Sequence, residues 1–460
     1  MSAPKITAII TTYNAESYIS ETLERISEQT LAEIQVIFID DASDDNTADI
    51  IRNKCDSDTR FKLLINDDNH GAGYSRNRGM EFAQGEYVIF LDDDDIYSYE
   101  MLERSYNQAK DTGSDIVVFR SNTLDDNNGK ITDADWTISR GSLPDTQTFT
   151  VSDVRNNFFR SFIWWAWDKL ISRDLIIRSG LHFQEIRTSN DLYFVCAIML
   201  QADAISVCDE VLITHKDNRQ GSLSNTREQS YQCSLEAIEK LNGFILSSEE
   251  YASLRQNYLN YSVDFLSWSL STLKDWQAYS HFYLLLQAYF RQYAIAERSE
   301  FETTYLADTY EALISSRPEV MLMDLKCRLE NDIRHLTQAN RESQHQISEL
   351  TTANQQLHFN HEAYETGHQH LQSQHDSLQN ECQALAHQVQ ILTGKKNEMT
   401  AALEAQIEQK TALENTLHTS LEANQRLTVK VEEYQHELQR LRNSLWGKLY
   451  QLFSGGNNKN

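Results

Sequence analysis

Residues 87–95, with the sequence YVIFLDDDD, decide how the rest of the chain is interpreted. An apolar run that suits a buried strand ends there in four consecutive carboxylates, Asp92 to Asp95. Ligands of open α/β folds bind where parallel strands end, and clustered carboxylates repel one another unless a cation lies between them. The run therefore indicates a metal site. A solvated turn with a helix N-cap explains the run alone equally well, because aspartate is favoured at both positions.

Strand patterns alternate with helix patterns around this run. Asp40 and Asp41 end the second predicted strand, and the polar residues 11–14 end the first. The alternation indicates right-handed βαβ units and a parallel sheet, in which these strand ends are expected to lie near the carboxylate run. The predicted elements are strands at 6–11, 34–39, 61–65 and 87–91 and helices at 16–29, 47–55 and 72–83.

Gly71 and Gly73 open a predicted helix that carries Arg76 and Arg78. A glycine-rich helix entry with cations suits a nucleotide or a phosphate group, although a loop with solvated arginines explains Arg76 by itself equally well. The sequence excludes two common nucleotide motifs, because it has no GxxxxGK[ST] and lacks the third glycine of a dinucleotide fingerprint at this helix entry.

Four motifs follow one another in the first part of the chain: 9–16 (IITTYNAE), 38–47 (FIDDASDDNT), 73–79 (GYSRNRG) and 90–95 (FLDDDD). Together they resemble the bacterial glycosyltransferase family 2, which contains inverting enzymes of GT-A fold. The family usually has Pro where Thr11 stands and Gly where Ala42 stands. The resemblance implies an α/β fold, with a Rossmann-like mixed sheet, helices on both faces and a site for a nucleotide-diphospho-sugar.

The resemblance also implies a role for each matching residue. Tyr13 and Asp40 would contact the base of a nucleotide-sugar, and Asp41 and Arg76 would help to hold the nucleotide. Asp92, Asp93 and Asp94 would form the DxD motif. This motif would bind Mn²⁺ or Mg²⁺, which prefer oxygen ligands, with Asp94 as the direct ligand. The residues expected to bind the nucleotide-sugar are Thr11, Tyr13, Asp40, Asp41, Arg76, Asp92, Asp93 and Arg219, and the candidate metal ligands are Asp92, Asp94 and His215.

A metal at the DxD motif has a chemical purpose. The diphosphate leaving group accumulates negative charge as the glycosidic bond breaks, and a bridging cation stabilises that charge without a proton. Residues 218–224, NRQGSLS, resemble the closing loop of the family, which lies over the diphosphate. Arg219 and His215 are therefore candidates for contact with the pyrophosphate or the metal.

Two later segments, 167–175 (WDKLISRDL) and 189–194 (SNDLYF), resemble the acceptor half of the family. The family has Asn where Asp168 stands and Glu where Asn190 stands. Asp191 is then the expected general base, because an acceptor hydroxyl must lose its proton as it attacks the anomeric carbon. Capping of the following helix is the structural alternative for Asp191.

Residues 124–148 are polar and are interrupted by glycine and proline, which predicts an exposed insertion near the acceptor site. Three tryptophans follow at 164, 165 and 167. Aromatic faces stack on sugar rings but also fill cores. We therefore interpret two of these tryptophans as core or scaffold and one as a platform for a sugar.

After Pro318 an apolar heptad pattern begins, with Leu322 at position d and the same phase through Leu441. Leucine at d with polar residues scattered at a predicts a parallel coiled coil, as a homodimer with a trimer as the alternative. Three histidines, His361, His368 and His375, occupy consecutive a positions. They could bind metal ions or act as a pH switch, and the alternative is that they are ordinary polar residues that set the register of the coiled coil.

The predicted organisation combines these segments. The domains are a GT-A glycosyltransferase domain over 1–226 (nucleotide-sugar half 1–99, acceptor half 100–226), a helical domain over 227–320, a coiled coil over 321–445 and a short apolar patch and disordered tail over 446–460.

The net charge of −27 argues against nucleic acid as a partner. Without a signal peptide or an apolar span, a cytoplasmic location is expected, with 445–453 as a candidate contact to the inner membrane face or to a protein.

The sequence thus predicts a metal-dependent inverting glycosyltransferase that moves a sugar from a nucleotide-sugar, with a UDP-sugar favoured, to a hydroxyl group of a glycan acceptor. The resemblance implies a role in surface or capsular polysaccharide synthesis. One alternative is a coiled-coil scaffold with an inactive domain, which Asn190 in the base motif supports. The other is a nucleotidyltransferase of similar fold, which the segments around Asp191 and Arg219 oppose.

Overall fold

The computed structural model describes residues 3–154, 156–217, 228–247, 249–292, 298–379 and 393–411, with shorter pieces at 414, 421, 424–432 and 434–436. Contacts divide the chain into two compact units, Met1–Pro318 and Glu319–Asn460. The helical region 227–320 predicted from the sequence thus shares the first unit with the residues before it. The second unit begins next to the predicted boundary at 320/321.

Among the described residues, the first unit is built on one nine-stranded mixed sheet. The strand order is β3-β2-β1-β4-β8-β6-β9-β5, and β7 pairs with β6. Strands β1, β2, β3 and β4 are parallel, and β8 enters antiparallel beside β4. The strands are β1 (Ile6–Thr12), β2 (Ile34–Asp40), β3 (Phe61–Ile65), β4 (Tyr87–Asp92), β5 (Ile96–Tyr97), β6 (Ile116–Asp125), β7 (Lys130–Asp133), β8 (Lys169–Ser172) and β9 (Ile205–Asp217).

Helices cover both faces of this sheet. Alternate residues of a strand point to opposite faces. Ile10 of β1 belongs to one core cluster with Ile26 of the first helix, whereas Gly79 of the third helix packs closely on Ile9 from the other side. The helices are α1 (Ile19–Ser27), α2 (Thr47–Ser57), α3 (Ala72–Met80), α4 (Met101–Thr112), α5 (Val151–Val154), α6 (Phe158–Ser161), α7 (Arg173–Ser179), α8 (Leu192–Leu200), α9 (Gln232–Leu246), α10 (Arg255–Ser271), α11 (Trp276–Gln292), α12 (Thr304–Ser315) and α13 (Pro318–Gln379).

The central strands are apolar along their whole length because they are covered on both faces. β1 and β4 are buried except for one residue each, and such strands have continuous rather than alternating apolar sequences. This burial explains why runs such as 87–91 could be identified as strands. The mixed α/β sheet expected for a GT-A fold is confirmed by this architecture.

The helices after residue 227 bury α8. All nine residues of α8 are buried, and Tyr193 of α8 meets Phe244 of α9 edge-on, with ring centroids 6.1 Å apart. Polar contacts add to the packing, since the backbone N–H of Phe159 donates to Asn257 (2.9 Å) and Arg160 pairs with Glu302 (2.9 Å). The helical region therefore completes the core around α8 instead of folding apart from it.

In the second unit, α13 lies antiparallel to a later helical segment of the same chain. Asn340 donates to the hydroxyl of Thr428 (3.2 Å), and Tyr364 and Leu371 share a cavity with Met399. The half-buried residues of both segments fall mainly on the predicted a and d positions, which include His361 and His368. The predicted heptad seam is therefore used within one chain. The parallel homodimer stays a prediction. Across the described residues, the structure contains no helix with the length and apolarity needed to span a membrane.

Candidate active site

The ends of three parallel strands bring the predicted polar residues together. β1 lies between β2 and β4, and its last residues pair with carboxylates on both sides. Thr12 is in register with Asp40, and Thr11 is in register with Asp92. Tyr13 follows directly and is 45% exposed. The crevice expected at the carboxyl ends of the strands is therefore lined by residues that the sequence singled out.

Arg76 on α3 joins the two halves of this crevice. Its guanidinium is 6% exposed and donates to Asp92 Oδ1 (2.7 Å) and to Asn190 Oδ1 (2.6 Å). The ring of Phe183 lies against it, with the centroid 5.4 Å from Cζ. One cation thus holds the end of β4 and the start of α8 together. Asn190, which stands where the family has Glu, serves as a neutral acceptor for this arginine.

The segment before Asn190 packs tightly on α3. A Cβ atom at Gly73 would lie 2.0 Å from the carbonyl oxygen of Gln184, so glycine is required for this approach. The amide group of Asn77 bonds both backbone groups of Phe183, with distances of 2.9 and 2.8 Å. These contacts fix the loop that leads to Asp191.

Asp191 lies at the N-cap position of α8, but its carboxylate makes no capping hydrogen bond. The helix-cap alternative therefore does not fit its geometry. Burial raises the pKa of Asp191, and the guanidinium of Arg76 offsets part of that shift. A carboxylate with a raised pKa is a stronger base than an ordinary one, which suits proton abstraction from a hydroxyl group.

The four carboxylates of the run alternate in exposure. Asp92 and Asp94 are half-buried, whereas Asp93 and Asp95 are buried. The carboxylate of Asp93 lies 3.5 Å from the hydroxyl of Tyr18, the N-cap residue of α1. The predicted contact of Asp93 with the nucleotide stays a prediction. The alternation leaves Asp92 and Asp94, the candidate metal ligands, more accessible than their neighbours.

Asp95 forms an ion pair with His215 that the sequence did not predict. Its Oδ1 accepts from His215 Nδ1 (2.8 Å) and from the backbone N–H of Lys216 (3.1 Å). Burial alone would lower the pKa of His215, but the carboxylates of Asp95, Asp92 and Asp94 outweigh it and raise that pKa to about 9. Burial also raises the pKa of Asp95, while His215 and the backbone N–H of Lys216 oppose that shift.

The donor set of this region fits a hard divalent cation with a partial protein shell. No group of three or more His, Cys, Asp or Glu side chains is preformed for a metal in the part of the chain that the structure describes. Mg²⁺ is commonly held by one or two carboxylates together with water and substrate phosphates, which Asp92 and Asp94 satisfy. His215 would have to release its proton before its Nε2 could bind a metal. Asp92 and Asp94 therefore stay the predicted primary ligands.

Other predicted nucleotide residues already have partners within the protein. Asp40 accepts from the hydroxyl and backbone N–H of Ser43 (2.6 and 3.0 Å). Asp41 accepts from Asn66 Nδ2 (2.5 Å) and from the backbone N–H of Gly71 (2.7 Å). Asp41 thus fixes the loop that enters α3, and its predicted contact with the nucleotide stays a prediction. Arg219 lies outside the described residues.

Ala42 adopts a left-handed backbone conformation with φ +60°. An L side chain is strained there, so Ala42→Gly is expected to raise the free energy of unfolding by about 0.5–1 kcal/mol, even though glycine makes the unfolded chain more flexible. Urea denaturation measures the change. Ala32→Gly, at an exposed residue with no positive φ, is the matched control and is expected to lower stability by about 0.5 kcal/mol. Equal losses in both variants would contradict the interpretation of strain.

Comparison with known proteins identifies the region that contains this crevice. Residues 7–170 match the sequence model described as Glycosyl transferase family 2. The match runs from β1 into β8 and includes Asp40, Arg76 and the carboxylate run. It is 26% identical over 268 residues to glycosyltransferase GlyG of Streptococcus pneumoniae serotype 4, which covers 56% of this chain and 87% of the relative. The predicted enzyme class is confirmed by this match.

Two further relatives extend beyond the family 2 domain. The chain is 26% identical over 364 residues to the poly(ribitol-phosphate) beta-glucosyltransferase of Bacillus spizizenii, a match that covers 76% of this chain and 52% of the relative. The crystal structure of S. aureus TarS 1–349 in complex with UDP-GlcNAc superposes with a TM-score of 0.54 and 21% identity. This superposition covers 67% of the present chain and 90% of the TarS chain, which supports the fold over more residues than the family model matches.

Proposed function

We propose that the family 2 domain transfers a sugar from a nucleotide-sugar, most suitably a UDP-sugar, to a hydroxyl group of a glycan acceptor. The observation that carries the proposal is the Arg76 bridge, which holds the donor-side carboxylate of Asp92 and the loop of Asp191 in one crevice. Two similar proteins support a nucleotide-sugar donor, since TarS was solved with UDP-GlcNAc and another relative is a glucosyltransferase. We extend the proposal to synthesis of a cell-surface polysaccharide.

The proposed mechanism divides the chemistry between two sides of the crevice. Asp191 accepts the proton of the acceptor hydroxyl as that oxygen attacks the anomeric carbon. Asp92 and Asp94 would hold Mn²⁺ or Mg²⁺, which supplies positive charge to the departing diphosphate when it is bound. Tyr13 presents an exposed ring to the nucleotide base. Attack from the side opposite the leaving group inverts the anomeric centre.

Release of nucleotide by the purified full chain tests this function. We expect at least one UDP-sugar in a panel to yield UDP in the presence of Mn²⁺, with faster release once a suitable acceptor is added. Chelation by EDTA is expected to stop the reaction. Persistence of activity in EDTA would remove the metal from the proposal, and absence of release from every nucleotide-sugar would favour the inactive scaffold.

We further propose self-association through residues 321–445, as a parallel dimer with a trimer as the alternative. The heptad pattern supports this assembly, whereas the contact between Asn340 and Thr428 shows that the same seam also pairs within one chain. Sedimentation equilibrium of the full chain distinguishes the two arrangements, because a single-chain mass at every concentration would contradict the dimer. The proposed membrane or protein contact at 445–453 lies outside the described residues.

A further inference from the structure

Trp136 is an exposed tryptophan on a well-anchored turn. It is the middle residue of the 3₁₀ turn Asp135–Thr137, which follows β7, and it is 61% exposed. Its neighbours Ala134, Thr137 and Ile138 are all buried. The backbone on both sides is thus held in the protein while the indole projects from it. A single exposed apolar residue is common on protein surfaces, so the surroundings of this residue must decide its meaning.

The turn is fixed to two neighbouring segments. The backbone N–H of Ala134 donates to the carbonyl of Ser121 on β6 (3.3 Å), and the N–H of Ile163 donates to the carbonyl of Thr137 (2.9 Å). Lys169 Nζ donates to the backbone carbonyls of Ile163 and Trp165, each at 2.9 Å. The turn and the segment of three tryptophans therefore form one connected framework.

Aromatic rings lead from Trp136 to the carboxylates of the crevice. Trp136 meets Trp165 edge-on, with ring centroids 5.6 Å apart. Trp165 stacks on Trp167 at 4.6 Å, and Trp167 stacks on His215 at 5.2 Å. His215 forms the ion pair with Asp95. Trp136 is the exposed end of this series, which we call the aromatic ladder (Trp136, Trp165, Trp167 and His215).

The charges around the exposed end are predominantly negative. Arg120 contacts both Asp133 and Asp135, and the nearby Arg140 pairs with Asp209, so three carboxylates face two guanidinium groups in this region. The whole chain carries a net charge of −27. An anionic polymer would be repelled from such a surface, whereas a neutral sugar would not. The apolar face of a pyranose ring packs well on an indole.

We propose that Trp136 and Trp165 form a subsite for neutral pyranose units of the glycan acceptor, on the acceptor side of the crevice. This inference rests on the proposed function and specifies the acceptor that the function requires. The ladder gives the subsite its continuity with the reaction centre, because its inner end lies against the carboxylate run. Trp136 acts here as a residue that determines acceptor affinity.

Fluorine NMR of the full chain tests binding without any requirement for activity. The chain contains seven tryptophans, and incorporation of 5-fluorotryptophan gives each of them a fluorine resonance. The resonances of Trp136 and Trp268 are assigned as those that disappear in Trp136→Phe and Trp268→Phe. The probes are maltohexaose, cellohexaose, chitohexaose, mannohexaose and the anionic hexagalacturonate. We expect at least one neutral hexasaccharide to shift the Trp136 resonance and hexagalacturonate to leave it unchanged. The resonance of Trp268, which is 49% exposed, is expected to stay unchanged with every probe. No shift at Trp136, or an equal shift at Trp268, would overturn the inference.

Kinetics with the hexasaccharide that gives the shift provide the second test. Trp136→Ala is expected to raise KM for that acceptor by about tenfold, equivalent to about 1.4 kcal/mol. Tyr305→Ala, at a 52% exposed tyrosine on α12, is the matched control and is expected to leave both this KM and the acceptor-free release of UDP unchanged. Failure of UDP release in the unaltered chain would refute the proposed function, whereas normal acceptor kinetics in Trp136→Ala would refute only the subsite.

Discussion

Replacement of Asp191 by asparagine is expected to lower kcat for sugar transfer by about 10³-fold and to leave the affinity for the nucleotide-sugar unchanged. Asparagine keeps the size of the side chain but cannot accept a proton from the acceptor hydroxyl. The residue lies at the start of a fully buried helix and makes no capping bond, so the substitution removes little structural support. Radiolabelled transfer measures kcat, and titration calorimetry measures donor affinity.

Asp174→Asn is the matched control for this experiment, because Asp174 is an exposed aspartate in the first turn of α7. It is expected to transfer sugar at the unaltered rate. An ordinary aspartate has a pKa of about 3.9, and burial raises the pKa of Asp191 above its usual value. As the pH is lowered, kcat of the unaltered chain should therefore begin to fall at a higher pH than it would with an ordinary aspartate as the base. Normal transfer by Asp191→Asn would show that another group is the base.

Replacement of Arg76 by methionine is expected to lower the free energy of unfolding by about 3 kcal/mol and to abolish transfer. Methionine retains an apolar stem against Phe183 but leaves Asp92 and Asn190 without their shared donor. The loss is large because the guanidinium is buried and bonded at both ends. Urea denaturation measures stability, and nucleotide release measures activity.

The control for Arg76 is Arg52→Met, which removes an arginine that is about half exposed and pairs with Asp49 three residues away on α2. Such a surface pair contributes at most about 1 kcal/mol. Arg76→Lys adds a graded comparison, because an ammonium can contact one partner without the two-pronged geometry of the guanidinium. If both methionine variants were equally stable, Arg76 would not be the bridge that the structure indicates.

Local sequence predicted the parallel strands but not the antiparallel strand β8. Apolar runs such as that of β4 identify strands that are covered on both faces. β8 is only four residues long and begins with Lys169, a residue type that is rarely buried. Its ammonium is satisfied by the carbonyls of Ile163 and Trp165 and by the adjacent Asp168. These partners are close in sequence, but an apolar pattern does not reveal the turn of the backbone that directs two carbonyls at one ammonium.

The site was predicted where its residues are close in sequence. The DxD motif and the strand ends are local patterns, and the structure brings them to one edge. The partners of those residues are distant, since Asn190 is 114 residues from Arg76 and His215 is 120 residues from Asp95. The fourth carboxylate of the run was a visible signal for such a partner. A buried aspartate requires a donor, but the run does not reveal which residue provides it.

The antiparallel contact between Asn340 and Thr428 has a consequence for how such chains assemble. Where the described residues close the heptad seam within one chain, most a and d side chains are half-buried and less available to a second chain. Two chains would then join only by opening and exchanging halves, as in domain swapping. The rate of assembly would be set by the opening of the closed form rather than by collision, so dimers and monomers would interconvert slowly even at high concentration.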